Sequence, residues 1–153
     1  MKPKNGGVRI RKAMASDAPA LSALLKELGF PSTTREVTAR LKAMRTSTLV
    51  AVRENQVVGL LTTNLMRVLH RPTSVGRLSA LVVSQKQRGK GVGRALVEAA
   101  EQRFKKKGCA LVEVTSNLRL EDAHSFFKRL GHEATSLRFK KALHGVQHRA
   151  TDT

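Results

Sequence analysis

The feature that most constrains this chain is a glycine-bearing stretch, Gln87-Arg88-Gly89-Lys90-Gly91-Val92-Gly93-Arg94, set between a strand-like run and an amphipathic helix. Ahead of it, Arg77 to Val83 (RLSALVV) reads as a strand. Behind it, apolar residues fall at Val92, Leu96, Ala100 and Phe104, with Ala95 and Ala99 beside them. That is the one-faced stripe of a helix lying on a sheet. Lys105-Lys106-Lys107-Gly108 ends this helix, with positive charge on the negative end of its dipole and a terminal glycine. Ala110 to Thr115 (ALVEVT) reads as the next strand. Strand, helix and strand in that order form a βαβ unit, which puts two parallel strands in one sheet.

Around that unit the pattern is antiparallel. Val8 to Lys12 is strand-like, and Ser16 is the expected N-cap of a helix carrying Leu21, Leu24, Leu25 and Leu28 at helical spacing. Gly29 and Pro31 stop it. Thr33 and Glu36 have the spacing of a capping box, followed by Val37, Leu41 and Met44 on one face. Thr48 to Arg53 and Val57 to Val68 join Arg77 to Val83 as a meander. Ala123, Phe126, Phe127 and Leu130 mark a last helix ending at Gly131, and His132 to Lys140 reads as extended. The fold class expected is α/β (α+β), a mixed, mostly antiparallel sheet of six to seven strands with four helices. Residues 1–143 read as a single domain and 144–153 as a mobile tail.

Composition narrows the function. Lys and Arg number 29 against 11 Asp and Glu, a formal net charge of +18, which favours anionic partners. All 5 aromatic residues are Phe, few rings for a single-strand nucleic-acid surface. No apolar run reaches membrane-spanning length, and no secretory signal or second cysteine accompanies Cys109, so a cytoplasmic location is expected, with Cys109 a small core residue. No His, Cys or carboxylate grouping has metal-ligand spacing, so no metal is expected.

The loop itself carries chemistry. Glycines at alternate positions let a ligand approach the backbone without Cβ clashes, and the helix entry supplies free N–H groups and the positive dipole end. Arg88, Lys90 and Arg94 add full charges, so a phosphate or pyrophosphate is the expected ligand group. The spacing is neither that of a Walker loop, since Lys90 precedes the last glycine, nor that of a G-x-G-x-x-G dinucleotide fingerprint.

The run instead fits [RQ]-x-x-G-x-[GA] through Arg88, Gly91 and Gly93. Together with Leu81-Val82-Val83 upstream, and Asn117 and Asp122-Ala123-His124-Ser125-Phe126-Phe127-Lys128-Arg129-Leu130-Gly131 downstream, it resembles the Gcn5-related N-acetyltransferase superfamily. The order of elements over residues 8–140 agrees. Acetyl-CoA as co-substrate is what the resemblance implies. It would lie with its pantetheine arm on the backbone of Leu81, Val82 and Val83, by strand-edge pairing. Its pyrophosphate would sit on Arg88, Gly89, Lys90, Gly91, Val92, Gly93 and Arg94, and Asn117, Ala123, Phe126 and Phe127 would line it from the far side. The Val83 N–H would be the oxyanion donor. The resemblance also implies an amine acceptor and brings a homodimer into view.

Two positions depart from the family pattern. Phe127 stands where a Tyr commonly donates a proton, and no carboxylate occurs between Glu54 and Glu98, where a base is often found. The catalytic groups are therefore unassigned, with Ser79, Asp122 and His124 as candidates; His70 is given no role. The reading is direct acetyl transfer to the amine of a small, anionic substrate, since a cleft poor in carboxylates suits such an amine better than a polyamine. The Asp122-Ala123-His124 stretch and the ending Arg138-Phe139-Lys140-Lys141-Ala142-Leu143 are similar, more loosely, to aminoalkylphosphonate and small-amine N-acetyltransferases. Two other readings stay open: an acetyl-CoA-binding regulatory domain with little catalysis, and a basic protein associated with nucleic acid.

Overall fold

The computed structural model describes residues 7–44 and 47–144. It divides into two compact units, Met1–Val114 and Thr115–Thr153. The first contains a five-stranded sheet in sequence order: β1 (Arg9–Lys12), β2 (Ser47–Arg53), β3 (Gln56–Met66), β4 (Val75–Val83) and β5 (Leu111–Val114). Three helices belong to it: α1 (Ala18–Leu28), α2 (Thr34–Ala43) and α3 (Val92–Lys106). Strands β1 to β4 pair antiparallel, and β4 with β5 parallel. The second unit contains α4 (Glu121–Arg129).

The expected class is present, with fewer strands. Residues 132–143 form no strand. The only alternation there is Leu137 and Phe139, 68% and 88% exposed, too little apolar surface to hold a strand in place. The expected tail beyond residue 144 lies outside the described residues.

Helices α1 and α2 bury Leu21, Leu24 and Val37 against Val50, Val52, Leu60 and Val82 of the sheet. The α2 capping box forms as its spacing predicts: the Glu36 N–H donates to Thr33 Oγ1 at 3.2 Å and the Thr33 N–H to Glu36 Oε2 at 2.7 Å. Ser16 does not cap α1. A 3-10 turn, Ala15–Asp17, precedes that helix, and the working residue is Asp17. Its buried carboxylate takes a two-pronged ion pair from Arg11 of β1, at 2.7 and 2.9 Å, and the Met14 N–H at 2.7 Å. A carboxylate offers more acceptor sites than a serine hydroxyl and pairs with a guanidinium fork.

Helix α3 takes Val92, Ala95, Leu96, Val97, Ala100 and Phe104 into the core. Two glycines admit it. A Cβ on Gly59 would lie 3.1 Å from Leu96 and 3.2 Å from Val92, and one on Gly76 would lie 2.5 Å from the Phe104 ring. The Phe104 ring therefore rests on bare β4 backbone.

Two outcomes follow from this packing. Gly76→Ala should destabilise the fold by about 1–3 kcal/mol through overpacking. In urea titrations, combining it with Phe104→Leu should cost less than the sum of the two single changes. Asp17→Asn should cost about 1.5–3 kcal/mol at neutral pH. The Arg11 hydrogen bonds, with help from the Met14 N–H and the Arg11 charge, hold the Asp17 carboxyl below its ordinary value. Its contribution is thus present above the unfolded value of about 3.9 and lost as pH falls through the lower folded value. The gap between wild type and Asp17→Asn should close in unfolding curves recorded through that acid range.

Candidate acyl-donor site

After Val83 the chain makes a 3-10 turn, Gln85–Gln87, held to β2 by Arg53 NH1 donating to Gln87 Oε1 at 2.8 Å. It then runs through Arg88-Gly89-Lys90-Gly91 into α3. Gly89 and Gly91 have φ of +73° and +80°, a conformation that a side-chain-bearing residue rarely adopts. Around both, the space a Cβ would occupy is open. The first helical hydrogen bond runs from the Ala95 N–H to the Gly91 carbonyl at 3.1 Å. The N–H groups of Val92, Gly93 and Arg94 consequently have no carbonyl ahead of them within the helix. This first turn, behind an exposed loop, leaves donors and open space of the kind an anion requires.

The charged side chains of the loop are partly committed. Arg88 Nε donates to the Val83 carbonyl at 3.1 Å, and Arg88 NH2 lies 3.9 Å from Glu27 Oε2. Arg94 Nε bonds Glu98 one turn on, at 2.7 Å. Lys90 is exposed.

Strand β4 is paired unequally on its two edges. Along β3 it is paired from Val75 to Val83; along β5 it is paired only from Val75 to Leu78. The Ser84 N–H bonds the Val58 carbonyl at 2.8 Å, which sets the antiparallel alternation at the end of the strand. In that alternation Val82 turns its N–H and carbonyl to β3. Leu81 and Val83 turn theirs to the other edge, beyond the last β5 partner. The Val83 N–H and both Leu81 groups thus face a gap between strands, while the Val83 carbonyl takes Arg88.

Where the strands part, polar residues gather. Arg77 NH1 bonds Glu113 Oε1 of β5 at 2.7 Å. Ser79 is exposed, with its Oγ 2.9 Å from Thr62 Oγ1 and donating to the Thr62 carbonyl at 3.2 Å. Both contacts are to Thr62 and neither is a base, so nothing there activates the Ser79 hydroxyl. Arg77 and Glu113 were missed from sequence because they are 36 residues apart and meet only through parallel register. The one available signal was a carboxylate inside the apolar run Leu111-Val112-Glu113-Val114.

In the second unit, Asn117 and His124 come together. His124 Nε2 lies 2.7 Å from the Asn117 carbonyl, an acceptor, so that nitrogen carries the proton. Asn117 Oδ1 accepts the Arg119 N–H at 2.9 Å, a local Asx turn. Asp122 is exposed in the first turn of α4, where a carboxylate complements the dipole. Ala123, Phe126 and Phe127 are half-buried. The Phe127 ring meets those of Phe126 and His132 edge to face, with centroids 5.0 and 5.4 Å apart.

The family described as Acetyltransferase (GNAT) family matches residues 15–132. The aminoalkylphosphonate N-acetyltransferase of Salmonella typhimurium is 30% identical over 139 residues, 88% of this chain and 90% of that protein. Among solved structures, a Trypanosoma brucei acetyltransferase superposes with a TM-score of 0.77 at 26% identity, covering 89% of this chain and 99% of its own. A GNAT family acetyltransferase of Staphylococcus aureus gives 0.77 at 24% identity, covering 90% and 99%. A family match from the start of α1 to the end of α4, with an N-acetyltransferase relative along most of the chain, makes this protein a member of the GNAT family of acetyltransferases and an N-acetyltransferase.

Proposed function

We propose that this N-acetyltransferase binds acetyl-CoA along the open edge of β4 and at the glycine loop, and moves its acetyl group to the amine of a small anionic substrate by direct attack. The observation that carries the reading is the unequal pairing of β4: its edge beyond Leu78 offers the Leu81 and Val83 backbone groups to an extended amide chain. The fit extends to the loop, where left-handed Gly89 and Gly91 leave open space beside the free N–H groups of the α3 first turn.

Acetyl-CoA, when bound, supplies a thioester carbonyl with a thiolate leaving group. The residues of the chain do the rest. Gly93 and its neighbours present N–H groups to the pyrophosphate. The Val83 N–H, facing the gap, is the donor for negative charge developing on a carbonyl oxygen there. Phe127 has no proton to give, so the CoA thiolate leaves without it and takes a proton from water; the proton lost by the attacking amine goes to water, with His124 and Asp122 the side chains to test as carriers. Residues 1–143 act in this reading as one N-acetyltransferase domain. The acceptor class follows from charge: no carboxylate occurs between Glu54 and Glu98, along β3, β4 and the loop. The name of the Salmonella relative points the same way, to amines that carry a phosphonate.

In calorimetric titrations, Gly91→Glu should weaken CoA at least about 100-fold, because it sets a carboxylate at the anion site. Gly91→Asn, which tolerates the left-handed conformation, should retain affinity within about tenfold. In a thiol-release assay over a panel of amines, aminoalkylphosphonates or amino acids should turn over and spermidine should not. Turnover of spermidine alone would remove the anionic-substrate reading.

A further inference from the structure

The β3–β4 hairpin and the turn after α3 lie side by side at one end of the sheet. Val75 opens β4 opposite Leu111, which opens β5, and the Ala110 N–H donates to Thr73 Oγ1 of the hairpin at 3.4 Å. The Phe104 ring on Gly76 holds the last turn of α3 over the same place. Two sets of cations far apart in sequence are thereby brought together. Arg67 and Arg71 stand on the hairpin, and Lys105, Lys106 and Lys107 at the end of α3; all five are exposed. No Asp or Glu occurs in residues 55–97 or 102–112, and the next carboxylate, Glu113, is bonded to Arg77. Glu101, one turn before Lys105 on α3, offsets at most one of these charges.

A plain structural role does not account for the patch. Lysines at a helix C-terminus complement its dipole, but that end carries only about half a negative charge, against three ammonium groups. Nor is this the anion site proposed at the glycine loop. The loop leaves β4 after Val83, whereas the cations gather beyond Val75. At about 3.3 Å per residue the two ends of β4 are roughly 25 Å apart, about three screening lengths at physiological salt.

The chemistry of the patch selects its partner. Phe104 is buried, which leaves His70 as the one ring on these segments where an unpaired base could stack. Leu69 at the hairpin tip is fully exposed, but one leucine is too little apolar area to anchor in a lipid interface or to form the core of a protein interface. A dense array of phosphates whose bases are already paired needs neither rings nor apolar area. We infer that this end of the sheet docks on the phosphate backbone of a double-stranded nucleic acid, without regard to its sequence. The inference is independent of the transferase reading, since no residue of the acyl-donor site takes part.

The test is fluorescence anisotropy of a short, labelled, mixed-sequence DNA duplex titrated with the full chain, with a melting curve of each variant to report folding. Affinity should fall by about 10²- to 10³-fold between roughly 50 and 200 mM salt, the dependence expected for about five neutralised phosphates. Lys105→Gln, Lys106→Gln and Lys107→Gln together should weaken binding by about tenfold or more at the lower salt and reduce the salt slope by about three, and Arg67→Gln with Arg71→Gln should reduce it by about two. A control that removes the same charge from α1 and α2, Lys26→Gln with Arg35→Gln and Lys42→Gln, should keep the affinity within about threefold. Leu69→Ala should change nothing, and saturating CoA should not displace the duplex. A wild type that fails to bind overturns the proposal, as does a control variant that loses as much as the lysine variant, the mark of diffuse charge. Displacement by CoA would place the phosphates at the glycine loop and overturn it too. Tighter binding to a single strand of the same length would assign the patch to another partner. So would tighter binding to vesicles of phosphatidylcholine and phosphatidylserine that is lost in Leu69→Ala, and either result overturns the proposal. Should the lysine variant not fold, the arginine pair and Lys106→Gln alone decide by the same criteria.

Discussion

The candidate site depends on one constraint: β4 is fully paired along β3 and only half paired along β5. Backbone N–H and carbonyl groups in a sheet are normally consumed by neighbours, and a strand edge left open inside a fold needs a partner. Here the open edge begins where β5 ends, and the alternation of the antiparallel pair decides which residues serve it. Leu81 and Val83 face the gap and Val82 does not. The same register points the Val83 carbonyl at the Arg88 guanidinium, which ties the loop back onto the strand it leaves.

Helix α3 secures that strand from its face. The Phe104 ring lies against Gly76, closer than a Cβ there would permit, and the Val92 and Leu96 side chains lie near Gly59, where a Cβ would be crowded. Close packing at both ends fixes the helix along the strands, and with it the position of its first turn. A binding site made of backbone N–H groups requires this rigidity, because it has no side chain to adjust when the helix shifts. The loop glycines matter through conformation and open space, whereas Gly76 and Gly59 matter through contact.

Charge in this chain is partly organised by register. A net charge of +18 attracts anions broadly, but it says nothing about where one would sit. Parallel register sets a carboxylate beside a guanidinium where β4 and β5 part. Some of the excess cations sit at helix ends, such as Lys105 and Lys106 in the last turn of α3, where they complement the dipole.

The glycine spacing, the stripe of α3, the Thr33–Glu36 box and the meander were legible in the chain because each is a local pattern. Periodicity, capping and turn chemistry act over a few residues, and they were enough to reach the family and the loop that leads into α3. Ser16 was misread as a cap because the Arg11 partner that makes Asp17 the working residue comes from another strand. The stretch 132–140 was read as extended; it forms no strand, and its Leu137 and Phe139 are largely exposed. What only the tertiary structure decided is the shortness of β5 against β4, the edge to which Leu81 and Val83 turn, and the meeting of Arg77 with Glu113. The physical reason is that strand register and strand length are settled by the packing of whole faces, between residues far apart along the chain, and no local pattern encodes them.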